Sequence, residues 1–485
     1  MSKSVLLFDL IHSLSRSEKR YFKLFCAQSG TSPNYLRLFE IIDQQSDYDE
    51  PAIKQAFAGE KFIKQLHTTK YYLRNLILKS LRNFHARISR DAMLKDMLRN
   101  VEILFHKELY DLCDIEIKKA ETIARDFERM SSMVEVLTWK RKLAQARTPH
   151  NYDSFLEIMG SQRNAIDSLY NVNRYWQLAI KVSRETVQRS DKEVDGISLL
   201  ANPDNAHSLE AKTLHYNTQY FQFLRQENRD RAEQTLHELV EYLESHAYRI
   251  TEDPGMYASS VNNLISFLVF QKKYEPALEI VQRAKAMYAQ LKILSEKKTL
   301  FKQIMRTYNI ELEIYRDTRL FEEKASFIAS IESFVSEHRH KIPKSYLMSF
   351  WFQLANIYFM QRKFEPALTW INEILNMRDK TIRVDLQIHA RMMNLMIHLE
   401  QQNMFVLRYF VDSTRRFLKK QRNVAAHESV LLKFFSSIAQ TPVMEYKQKF
   451  KALKETLYPT ASESIVPGSL DYLDYKSWID AYLAR

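Results

Sequence analysis

Residues 361–371 read QRKFEPALTWI, and ninety positions earlier residues 271–281 read QKKYEPALEIV. Each copy is a polar tripeptide, an aromatic residue, Glu-Pro-Ala, and then apolar residues at helical spacing. Inside a helix a proline removes a needed N–H and clashes with the preceding turn. In the first turn that N–H has no intrahelical acceptor, so proline is tolerated there. Pro366 and Pro276 therefore mark helix starts rather than loops. The alanines that follow, Ala367 and Ala277, leave room for a second helix to cross closely.

The residues upstream complete the pattern. Before the second copy, Trp351, Leu354, Ala355 and Tyr358 fall at i, i+3, i+4 and i+7, one face of a helix. After the turn come Phe364, Ala367, Ile371 and Ile374. The first copy has Val261, Leu264, Ile265 and Leu268, then Tyr274, Ala277, Val281 and Ala284. Weaker units read Tyr220, Phe223, Ala232 and Leu236; Tyr308, Leu312, Tyr315 and Phe321; Met392, Leu395, Leu399 and Phe405; and, early on, Leu104, Tyr110, Ile117 and Ala120. A single helix pair cannot bury its apolar faces, but stacked pairs bury a continuous core.

This order of residues resembles the tetratricopeptide repeat: Trp, Leu, a small residue and Tyr on a first helix, an aromatic at the turn, then Ala and apolar residues on a second. The units from about residue 213 onward recur every 41–47 residues, whereas the family period is about 34. The helices or their connectors are longer than usual here, and a period in the forties also suits HEAT-like helical repeats. The resemblance implies a right-handed solenoid of helical hairpins. The expected fold is all-α, with a helical N-terminal domain over 1–90, irregular helical repeats over 91–205, a tetratricopeptide-like solenoid over 206–425 and capping helices over 426–485.

Composition agrees with long helices. Among 485 residues there are only 6 Gly and 11 Pro, while 26 Tyr and 28 Phe supply bulk for a core. Ser15 and Glu18 have the spacing of a capping box, and Pro51 suits another first helical turn. Cys26 and Cys113 stand far apart and suggest free thiols rather than a disulfide framework. The N-terminal MSKSVLLFDLIHSLSR has a short apolar run broken by Asp9 and no small-residue cleavage site, so it does not read as a signal peptide. No apolar run approaches the roughly 18–20 residues that span a bilayer. A cytoplasmic location without a membrane span is expected.

Motifs of common catalysts are missing from the sequence. The glycines, at 30, 59, 160, 196, 255 and 468, are too scattered for a P-loop, a GxGxxG fingerprint or a GxSxG elbow. There is no HExxH and no cysteine cluster for zinc. One Glu-x-x-His pair, Glu337 and His340, lacks the second pair that a dinuclear carboxylate site needs. The expectation is a non-enzymatic chain with no cofactor, no catalytic residue and no metal.

What remains is binding. In tetratricopeptide proteins the first helices line a groove that grips extended peptides. The resemblance places Asn356 and Asn394 at asparagine positions of that groove, with Phe352 and Gln353 beside them. A lysine of the family's carboxylate clamp is replaced by Phe352, so the resemblance implies gripping of a partner's backbone by the asparagines. The expected function is a scaffold or adaptor for a peptide or protein segment.

A second feature points elsewhere. Residues 61–90 carry eight Lys or Arg and no Asp or Glu, within a chain of net charge +12. Leu66, Leu73, Ile77, Leu81, Phe84 and Ile88 give this stretch one apolar helical face. Lys79, Arg82 and Arg90 lie opposite, with Tyr72 beside them. Basic residues with aromatics suit nucleic-acid phosphates and bases, or an acidic partner. Gly59 stands where a helix-turn-helix has its turn glycine. Bacterial regulators that join an N-terminal DNA-binding domain to a repeat array suggest the alternative function: a nucleic-acid-binding regulator controlled by the array.

Overall fold

The computed structural model describes residues 3–28, 33–87, 89–188, 194–251, 253–290, 298–421, 425–459 and 472–485. Among them every regular element is helical. The chain begins with α1 Lys3–Ser13, α2 Arg16–Gln28, α3 Pro33–Gln44, α4 Glu50–Ala56, α5 Leu66–Phe84, α6 Arg90–His106, α7 Tyr110–Asp126, α8 Met130–Arg147 and α9 Tyr152–Val187. It continues with α10 Leu209–Arg225, α11 Arg229–Ser245, α12 Ala247–Ile250, α13 Pro254–Phe270, α14 Tyr274–Gln290, α15 Lys298–Asp317 and α16 Ala325–Glu337. The last are α17 Lys344–Met360, α18 Phe364–Leu375, α19 Val384–Glu400, α20 Met404–Leu418, α21 Ala426–Ile438, α22 Tyr446–Leu457 and α23 Tyr475–Leu483. They divide into two units, residues 1–181 with 193–215, and residues 182–192 with 216–485.

Two separate clusters of buried residues stand out in the first unit. Helices α1 to α5 close around Ile11, Phe22, Leu38, Phe39, Leu73 and Ile77. The capping box forms at the start of α2: Glu18 N–H donates to Ser15 Oγ at 3.3 Å, and Ser15 N–H donates to the Glu18 carboxylate at 2.6 Å. Pro51 is the second residue of α4, behind the Asp49 cap. Gly59 turns the chain at φ 91°, a left-handed conformation that suits glycine. Helices α6 to α9 enclose Leu94, Val101, Ile117, Ala120 and Val136.

The basic stretch is not one helix, which corrects the sequence reading. Residues Lys61–Gln65 form a 3-10 turn, α5 ends at Phe84, and Arg90 opens α6. Two contacts accompany the break, one remote in sequence and one local. His85 Nε2 lies 2.6 Å from Glu18 Oε1, drawing the chain toward α2. Ser89 then caps the next helix, its Oγ accepting from Ala92 N–H at 3.2 Å. Phe84 is exposed, and Ile88 lies outside the described residues.

In the second unit helices pack in sequence-adjacent pairs. α13 packs on α14, α17 on α18 and α19 on α20, while α13, α15, α17 and α19 also pack on one another in turn. Trp351, Leu354, Ala355, Ala367, Ile371 and Ile374 are all buried, as are Val261, Leu264, Ile265, Leu268, Ala277, Val281 and Ala284. Pro366 and Pro276 are each the third residue of their helices.

The turns reveal the repeat more sharply than the side chains do. Glu227, Lys272, Arg319, Arg362 and Gln402 all have φ between 55° and 60°, at intervals of 45, 47, 43 and 40 residues. Each occupies the same place in the same motif. Arg362 N–H bonds to Phe359 O at 2.9 Å and Lys363 N–H to Tyr358 O at 2.9 Å, the two closures of a Schellman turn. Lys272 with Lys273, and Gln402 with Asn403, repeat both bonds. Glu108 and Glu128 do the same at either end of α7.

Candidate functional site

The asparagine singled out on α17 sits where α17, α19 and the C-terminal segment meet. Asn356 is 3% exposed, and its Nδ2 donates to the main-chain carbonyl of Tyr472 at 2.8 Å. The Tyr472 ring stands edge-on to Phe352, centroids 6.1 Å apart, and 4.6 Å from the ring of His389 on α19. Its hydroxyl donates to Asp385 Oδ2 at 3.1 Å. Burial pushes the Asp385 carboxyl up, but hydrogen bonds and charge from Arg383 outweigh this and hold it below its ordinary value. The same arginine donates to Asp385 from Nε and Nη2. Asn356 and Phe352 are thus brought together, and what they meet is the chain itself.

The other two predicted residues are elsewhere. Gln353 turns toward α15, its Oε1 accepting from Arg316 Nη1 at 3.0 Å. Asn394 is buried in α19, and its Oδ1 has no hydrogen-bond partner among the described residues.

Among the described residues the layer of first helices stays open beyond Tyr472. A cleft of about 760 Å³ is lined by Val269 and Phe270 of α13, Arg316 and Asp317 of α15, Asn356 of α17, and Asp474. Phe270 is exposed despite its size. Charges alternate along the walls. Arg316 donates from Nε to Asp317 at 2.7 Å, and Arg319 lies 3.8 Å from Asp474. Burial, and then the neighbouring Asp317, push the Tyr274 hydroxyl up to about 12, so it stays protonated and donates to Asp317 at 3.3 Å.

The C-terminal segment is held at a second point that sequence reasoning missed. The Glu400 side chain is only 2% exposed. It accepts from Trp478 Nε1 at 2.9 Å, Arg485 Nη1 at 2.9 Å and Arg362 Nη2 at 3.2 Å. Trp478 packs among Phe434, Phe435 and Phe450. Glu400 ends its helix and reads as an ordinary surface residue, so no local pattern announces this role.

On the first unit, Lys79, Arg82 and Tyr72 lie on the outer side of α5 and are exposed. Arg90 is separated from them at the start of α6, with its guanidinium 4.7 Å from the Phe127 ring. Cys26 and Cys113 are buried, and burial pushes the Cys26 thiol up to about 11. Among the described residues no three His, Cys, Asp or Glu side chains are placed to hold a metal ion, and no helix is long and apolar enough to cross a membrane. Comparison with protein-family models, curated proteins and solved structures finds no match.

Proposed function

We propose that this chain is a non-enzymatic, cytoplasmic adaptor, a tetratricopeptide-like right-handed solenoid whose layer of first helices receives an extended segment of a partner protein. One observation carries the reading. The layer already holds a piece of polypeptide by its main chain, at Asn356 and Tyr472 O, and among the described residues an open cleft continues from that point. A carboxamide aimed at a backbone carbonyl is indifferent to the partner's side chain. The mixed charges and the exposed Phe270 ring supply the sequence preference.

The test is site-specific photocrosslinking in the native cell. A benzophenone amino acid at Phe270 should yield one discrete crosslinked partner. The same group at Glu279, on the exposed side of α14, should yield none. Equal products at both positions, or none at either, would remove the cleft from the binding site.

A further inference from the structure

We propose that the outer face of α5 binds single-stranded nucleic acid. Thr68, Tyr72, Asn75, Lys79 and Arg82 are spaced four, three, four and three residues apart, which aligns them in one stripe along the helix. His67, Tyr71, Arg74 and Leu78 form the adjoining stripe by the same spacing. From residue 68 to 82 the stripe is about 21 Å long, at about 1.5 Å per residue.

The charges of this face are opposed by no acid of their own stretch. No Asp or Glu occurs from Lys61 to Arg90. Of the acids around it, Glu60 pairs with Arg37, Glu50 with Lys54 and with the buried Lys70, Glu18 with His85 and Asp91 with Arg129, while Asp96 shares a cleft with Arg82 and Asn75 at one end of the face. Elsewhere on the same five helices Lys19 and Lys23 pair with Asp43 and Glu40. By contrast Lys61, Lys64, Lys79, Arg82 and Arg87 have no ion pair among the described residues. Such a face is complementary to a polyanion.

The aromatics decide which polyanion. Tyr71 and Tyr72 are 50% and 54% exposed at the centre of the face, with ring centroids 5.8 Å apart. Arg74 lies 5.0 Å from the Tyr71 ring. Exposed rings flanked by cations are platforms for unpaired bases, whose faces a duplex hides.

The experiment is fluorescence anisotropy of the full chain with a labelled 20-nucleotide oligothymidylate, a 20-base-pair duplex of mixed sequence, and heparin as competitor. The oligothymidylate should bind more tightly than the duplex. Its affinity should fall with salt at a log–log slope of about −3 to −4, for four to six phosphates contacted. Lys79→Glu/Arg82→Glu should weaken binding at least tenfold and shallow that slope by about 1.4, at about 0.7 for each of two phosphates. Tyr71→Ala/Tyr72→Ala should weaken it about tenfold or more with the slope unchanged, and Tyr71→Phe/Tyr72→Phe should bind like the wild type. All these residues are exposed, so melting temperatures should be kept. Absence of binding, preference for the duplex, or competition by heparin with indifference to the tyrosines would overturn the proposal.

Discussion

The carboxamide of Asn356 donates to the carbonyl of Tyr472 across 116 positions of chain, at 2.8 Å. An asparagine read as a ligand contact is therefore also a joint of the fold. An exposed asparagine could be truncated at a cost within about 0.5 kcal/mol. Asn356→Ala instead leaves a carbonyl without its donor in a buried place. The expected loss is about 1–2 kcal/mol of unfolding free energy, read as a lower urea midpoint with an unchanged slope.

Glu400 offers the complementary test at the other end of the segment. Trp478→Phe keeps a ring among Phe434, Phe435 and Phe450 but removes the Nε1 donor to a buried carboxylate. A hydrogen bond to a charged group is worth about 1.5–3 kcal/mol, and a loss of that size is expected. Trp478→Ala removes the packing as well and should cost about 3–5 kcal/mol. Hydrogen exchange should locate both effects, with faster exchange in α19 and α22 and little change in α13 and α14.

What the sequence made legible follows from how far each interaction reaches. The helix pairs around Pro276 and Pro366 are written in residues within one turn of each other, and their apolar faces are buried as the spacing requires. The turns were harder to see because glycine, the usual marker of a left-handed helix end, is absent from them. Glu, Lys, Arg and Gln take that conformation instead. The break after Phe84 depended on Glu18, remote in sequence from His85. Occupation of the Asn356 site by Tyr472 depended on a contact no periodicity records. The scaffold around Asn356 was thus legible in the sequence, and its contact with Tyr472 only in the tertiary structure.

Acid should destabilise the chain through two buried histidines. Burial, and then the neighbouring His427, pull His389 down to about 4, with Asp385 opposing. Burial, and then Lys212, pull His215 down to about 4 as well. In the unfolded chain both would titrate near 6.5. Between these values the unfolded state binds more protons, so stability rises with pH across that window. It should be full above about pH 7, fall as pH drops toward 4, and lose nothing further from these two groups below that. Glu50, held down to about 2 chiefly by Lys70, adds its own loss between about 4.5 and 2. Urea midpoints measured from pH 7.5 to 4 would test this. His389→Leu should flatten the slope between pH 6.5 and 4, whatever it does to the midpoint at pH 7.5.

The Schellman turns give the last prediction, and its sign is opposite. Glu227 sits at φ 56° between α10 and α11. Its N–H bonds to Leu224 O at 3.1 Å and the next N–H, of Asn228, to Phe223 O at 3.0 Å. The left-handed conformation costs a residue with a Cβ about 1–2 kcal/mol, because that carbon crowds the following carbonyl. Glycine escapes this cost but loses about 0.5–1 kcal/mol more backbone entropy on folding. Glu227→Gly should therefore stabilise the chain by up to about 1 kcal/mol, the difference of those two effects. Glu227→Val, with its branched Cβ, should destabilise it. Arg362→Gly would gain the same relief but lose its bond to Glu400, so it should gain less than Glu227→Gly. Thermal melts of the three variants would order them Glu227→Gly, Arg362→Gly, Glu227→Val. A lower melting temperature for Glu227→Gly than for the wild type would show that the charged side chain at this turn is held by something other than the backbone.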